Sequence, residues 1–116
     1  MIDLSNGCLL MIEPTKSATI PVQDVWTRRA RGLVFEGKLK QGKSWRGSHS
    51  CICGAASQSY ELITPQGRIT NSLLVHYIEC HRDEVPEEEL IKLYAEYMDW
   101  SIEEARQHYE SEIQTT

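Results

Sequence analysis

The stretch G-S-H-S-C-I-C-G-A-A, residues 47–56, sets the problem around which the rest of the chain can be read. Cys51 and Cys53 stand one residue apart, next to a glycine that can turn the backbone sharply. They are too close in sequence to form an easy disulfide with each other, and cysteine is scarce, at four in 116 residues. Two thiolates on one tight turn supply half of a tetrahedral metal site. The other half lies in N-S-L-L-V-H-Y-I-E-C-H, residues 71–81, which offers His76, Cys80 and His81.

Between these two stretches, S-Q-S-Y-E-L-I-T-P-Q-G-R-I-T-N-S (57–72) reads as a β-hairpin. Tyr60, Leu62 and Ile69 belong to two short strands, Pro65 suits the first corner of the turn, and Gly67 permits a positive φ. Asn71 or Ser72 then caps a helix over Leu73–His81. The order of cysteine turn, hairpin and ligand-bearing helix follows the logic of a ββα zinc finger, and the His76-x4-His81 spacing falls within the finger range. Two features depart from it. The first pair is C-x-C, and 22 residues separate Cys53 from His76 where a finger has about 12. On an ideal helix, at about 100° per residue, His76 and Cys80 lie roughly 40° apart, whereas His76 and His81 lie roughly 140° apart. A straight helix therefore pairs His76 with Cys80. Pairing His76 with His81 requires the last turn to loosen, which R-D-E-V-P (82–86) would allow. Leu73, Leu74, Tyr77 and Ile78 surround His81 on the same wheel, so a core histidine is the competing reading of that residue.

Outside this centre the pattern is less regular. C-L-L-M-I-E-P (8–14) reads as a short buried strand, and P-T-K-S-A-T-I-P (14–21) as a loop. Residues 22–35 carry a helical stripe of Val22, Val25, Trp26, Ala30 and Leu33, against β-favouring residues at the end, and residues 36–47 read as a turn-rich connector. After Pro86, three glutamates occupy the positive end of a helix with Leu90, Leu93, Tyr94 and Tyr97 as its apolar stripe. Ser101 and Glu104 form a capping box for a last helix. The expected architecture is α+β: a single domain over 1–116. It divides into a β-rich or irregular part (1–43), a zinc-binding hairpin–helix unit (44–82) and two C-terminal helices (83–114).

Charge is unevenly distributed under a net value of −5: residues 1–54 carry eight Lys/Arg and four acids, and residues 55–116 carry four and thirteen. The halves either neutralise each other or face different partners. No apolar run approaches the roughly 20 residues of a membrane span. No basic segment precedes the apolar run at Cys8–Ile12, so export is not expected and reduced thiols in a cytoplasm are.

Trp45, Arg46, Gly47, His49, Cys51, Cys53 and Gly54, followed by His76, Tyr77, His81, Pro86, Glu87 and Glu88, form a pattern that resembles a group of small, uncharacterised bacterial proteins. These share a W-R-G-x-H-x-C segment with a second cysteine and glycine, then H-Y-x-x-x-H and an acidic helix. The likeness covers roughly residues 44–90, and the C-x-C spacing departs from the C-x-x-C it leads one to expect. It implies Cys51, Cys53, His76 and His81 as the ligands and gives His49 a place beside them; Cys80 falls on a position the pattern leaves open and stays the alternative that a straight helix favours. With four ligands already available, His49 is expected to orient a thiolate rather than bind. A mixed S2N2 set suits Zn2+, which takes a tetrahedron without a redox role.

Function then divides three ways. The first reading is a zinc-stabilised binding or regulatory module of a bacterial or phage cytoplasm, acting through contacts with another protein. The alternative is nucleic-acid binding through Arg28, Arg29, Arg31, Lys38, Lys40, Lys43 and Arg46, interleaved with Phe35 and Trp45. A sequence pI near 5.3 argues against it. A metalloenzyme, with Glu79 or Glu84 as base, comes last. Neither the HExxH nor the HxE…PCxxC signature is present, and four protein ligands leave no corner for a reacting water.

Overall fold

The computed structural model describes residues 7–44, 50–57 and 59–114. Asp24 starts the first helix, α1 (Val25–Phe35), as its N-cap: Oδ1 accepts the Trp26 and Thr27 N–H groups at 3.1 and 3.2 Å. Three strands follow, β1 (Lys40–Ser44), β2 (Tyr60–Ile63) and β3 (Ile69–Thr70), antiparallel in the order β1-β2-β3. Helix α2 (Leu74–Cys80) leads through a 3₁₀ turn (Arg82–Glu84) to α3 (Glu87–Met98) and α4 (Ile102–Gln114). Four helices and one three-stranded antiparallel sheet among the described residues make this an α+β fold.

The hairpin forms as its turn residues require. Gly67 has φ +87° and donates its N–H to Thr64 O at 2.9 Å, while Thr64 N–H donates to Arg68 O at 2.8 Å. Asn71 precedes α2 by three residues, its Oδ1 accepting the N–H of Leu73, the N-cap residue, at 2.8 Å. The capping box of α4 is also present, with Glu104 N–H on Ser101 Oγ at 3.1 Å. Asp99, at φ +58°, ends α3 in the left-handed region, where aspartate is better tolerated than most residues.

The N-terminal expectations need correcting. Residues 8–14 are not a strand. Cys8 makes one parallel bridge to Ile69, Leu9 N–H donates to Ile69 O at 2.9 Å, and Leu10 then turns with φ +55°. Leu9 and Leu10 are both fully buried, and adjacent residues on a strand would point to opposite faces. Of the two alternatives for residues 1–43, β-rich or irregular, residues 11–24 are irregular, and α1 occupies residues 25–35 with Gly32 inside it. Burial of Ala30 and Leu33 against α2 and α3 outweighs the β preference of L-V-F. The connector in turn contains β1, an edge strand paired with β2.

Helix α3 is the hub. Residues Ile91 through Glu96 are all buried, including two charged ones, since α1, α4, the N-terminal segment and the hairpin turn cover different sides of it. Lys92 Nζ donates to Cys8 O at 3.0 Å and to Glu89 at 2.7 Å, and Glu89 Oε1 accepts the Leu10 N–H at 2.7 Å. Glu96, with its side chain 0% exposed, accepts from Arg68 at 2.9 Å, from the Gln66 N–H at 3.1 Å and from the Thr64 hydroxyl. These contacts fasten the hairpin turn to α3.

Glu96→Ala strips a buried carboxylate from Arg68 and from the turn, and is expected to cost about 3 kcal/mol or more in denaturant unfolding; a loss below about 1 kcal/mol would refute this role. Asp24 is held at a pKa of about 2, chiefly by its hydrogen bond with Arg82, which it meets at 2.7 and 2.8 Å. A depressed carboxylate stabilises the fold above its ordinary range near pH 4 and loses that contribution as the pH falls toward 2. Wild type is therefore expected to exceed Asp24→Asn in stability at pH 5, with the gap closing toward pH 2. A gap independent of pH would contradict the linkage.

Candidate metal centre

The cysteine turn is a small knuckle. Cys51 N–H donates to Ala55 O at 2.7 Å and Gly54 N–H to Cys51 O at 3.0 Å, while Ser50 and Ala56 form an antiparallel bridge at its base. Gly54 adopts φ +98°, a conformation that a side chain would strain, and this lets the chain reverse directly after Cys53. Cys51 points inward against Leu73 and Tyr77, with Ile12 and Ala55 alongside. Cys53 is exposed, and Ile52 between them stands 62% exposed at the tip.

Helix α2 ends one residue before His81, which takes φ −132° and ψ 34° as the C-cap while its N–H still donates to Tyr77 O at 3.0 Å. Arg82 Nε donates to Ile78 O at 3.0 Å, satisfying a carbonyl that the end of the helix leaves open. Leaving the helical conformation at His81 removes the angular obstacle to pairing it with His76. The two rings come to 5.0 Å between centroids. His76 Nε2 lies 3.1 Å from Cys53 Sγ, and His81 Nε2 lies 3.2 Å from Cys51 Sγ.

The four donor atoms of Cys51, Cys53, His76 and His81 all lie within 4.8 Å of one another. Around a tetrahedral ion with Zn–S of about 2.3 Å and Zn–N of about 2.0 Å, an S···N edge is about 3.5 Å, so the set is of the right size. The group could hold a metal ion. Its identity is not determined by the four positions. Burial raises the Cys51 thiol, so its thiolate is disfavoured without a compensating cation, while burial and the neighbouring His81 lower His76 and favour its neutral imidazole, the form that ligates a metal. Burial likewise pushes Tyr77 up to about 12, with Cys51 as the next cause. Cys80 stands outside the group: its thiol is raised, mainly by burial, and its carbonyl accepts the Thr19 N–H at 2.9 Å. His81 is also 3% exposed, so the buried-histidine reading and the ligand reading describe one residue. His49, Trp45, Arg46 and Gly47 lie outside the described residues.

The basic segment is divided by the fold. Arg29 is buried, pairs with Glu112 at 2.8 Å, and lies over the Trp26 and Tyr94 rings at 4.5 and 3.9 Å. Arg31 pairs with Glu79, its Nε at 2.8 Å from Oε1, and Lys38 lies 3.4 Å from Glu36. Arg28, Lys40 and Lys43 are exposed, as is Phe35. The aromatics of the C-terminal helices turn largely inward: Tyr94 is buried beside Trp26, and Trp100 stacks on His108 at 4.1 Å. Among the described residues no helix is long and apolar enough to cross a membrane.

No protein-family model, curated protein or solved structure matches the chain, so the site stands on its geometry.

If His81 rather than Cys80 completes the set, Cys80→Ser keeps the metal stoichiometry of wild type and His81→Ala loses it, as elemental analysis of the purified proteins would read. The reverse pattern would move the fourth position to Cys80.

Proposed function

We propose that the chain is a small zinc-stabilised binding module in which the metal is structural and recognition is through protein contacts. The observation that carries this reading is the convergence of two donors from the knuckle, one from α2 (His76) and one from its C-cap (His81) on one point. Four protein ligands fill a tetrahedron, which is the arrangement of structural zinc rather than of a catalytic site with an open corner. Zinc is favoured over iron by the mixed S2N2 donor set, and the likeness to small bacterial proteins supports the same two histidines. Four cysteines outside any disulfide, two of them proposed as ligands, suit a reducing cytoplasm.

A structural metal has a clear task here. The knuckle has its own turn hydrogen bonds and a small apolar contact through Cys51, Leu73 and Tyr77, separate from the larger clusters around α3. An ion shared with His76 and His81 would join that outlying piece to α2 and add folding energy. It would also hold Ile52 out toward a partner protein, in the manner of an exposed apolar anchor.

Untagged protein is expected to carry one zinc per chain, with two thiols shielded until chelation and a lower melting temperature afterwards. Cys51→Ser should lower metal content and melting temperature together. Protein with no zinc and with Cys51 and Cys53 freely reactive would overturn the proposal.

A further inference from the structure

One polar atom beside the metal centre is without an expected partner. His81 turns Nε2 toward Cys51, which directs Nδ1 the opposite way, into a position where the side chain is 1% exposed and Nδ1 has no hydrogen-bond partner. An imidazole that ligates through Nε2 carries its proton on Nδ1, and a buried N–H of this kind requires an acceptor. The carboxylate of Glu84, three residues on in the 3₁₀ turn, places Oε2 3.9 Å from that nitrogen. A shift of about 1 Å would bring the pair to hydrogen-bonding distance.

The other contacts of Glu84 fix its direction. Oε1 accepts the Thr15 N–H at 2.8 Å and the Thr15 hydroxyl at 2.7 Å, and Oε2 lies 3.2 Å from the Lys16 N–H. The N-terminal segment at residues 15–16 thus binds the same carboxylate that faces His81, although nearly 70 residues lie between them in sequence. The same segment is also held at Thr19, whose N–H donates to Cys80 O at 2.9 Å.

Resting on the metal-binding reading above, we propose that Glu84 is a positioning residue of the centre. It accepts the Nδ1 proton of His81, holding Nε2 on the ion, and Thr15 and Lys16 hold the carboxylate in place. Outer hydrogen-bond partners of this kind set the orientation and basicity of a metal-bound histidine, and their removal commonly lowers metal affinity about ten- to a hundredfold.

The test is a competitive Zn2+ titration of the full, untagged chain, with a Co2+ absorption spectrum at saturation, for wild type and Glu84→Gln. The amide keeps an oxygen for Thr15 but turns an NH2 group toward Nδ1, donor against donor. Glu84→Gln is expected to bind Zn2+ about ten- to a hundredfold more weakly, with the tetrahedral thiolate Co2+ spectrum retained. In zinc-loaded wild type the His81 Nδ1 proton should exchange slowly by NMR, and in the variant quickly. Equal affinities with an unchanged exchange rate would overturn the role of Glu84 and leave the metal site standing. Failure of wild type to bind either ion would overturn both. Should Glu84→Gln not fold, Thr15→Val removes one tether from the carboxylate and is expected to weaken Zn2+ severalfold; an unchanged affinity there overturns the proposal.

Discussion

The end of α2 is the constraint on which the candidate centre depends. Seven helical residues carry His76 on one face, and the departure of His81 from helical geometry brings a second imidazole to the same point. Had the helix continued straight, Cys80 would have been the neighbour of His76 and His81 would have pointed elsewhere. The break is held from several sides. Arg82 caps Ile78 O and at the same time grips Asp24, the N-cap of α1, so the close of one helix and the opening of another share one guanidinium.

The second organising feature is the burial of charge on α3. A helix covered on most of its surface would ordinarily be apolar all round, and here Lys92 and Glu96 are exceptions with specific partners. Lys92 holds the N-terminal segment through the Cys8 carbonyl, and Glu96 holds the hairpin through Thr64, Gln66 and Arg68. Because the hairpin leads directly into α2, fastening its turn to α3 also fixes where α2 begins. The knuckle, by contrast, rests on a small apolar contact and on the thiol–imidazole pairs, which is where a metal would contribute most.

Local signals were well expressed where short-range chemistry decides the conformation. Pro65 and Gly67 marked the hairpin turn, Ser101 and Glu104 the start of α4, and Cys51, Cys53 and Gly54 the knuckle. Elsewhere competing local signals are settled by packing. C-L-L-M-I-E-P looks like a strand by composition, yet Leu9 and Leu10 are both buried, with the chain turning at a left-handed Leu10. Helix α1 overrode its own β-favouring end because Ala30 and Leu33 are buried against the neighbouring helices. The basic run around α1 looked like one surface in sequence, while the fold directs Arg29 and Arg31 to Glu112 and Glu79.

The sequence by itself determined the α+β class, the turns and caps, and the short set of soft donors from which a metal site could be built. These follow from residue chemistry acting over a few positions. The tertiary structure alone decided which donors meet, because the choice between Cys80 and His81 turns on a helix end held by Asp24 and Arg82, 58 residues apart. It also decided that Glu84 faces His81 while gripping Thr15, a contact with no local signal. Contacts of that range arise only when the whole chain has closed around α3.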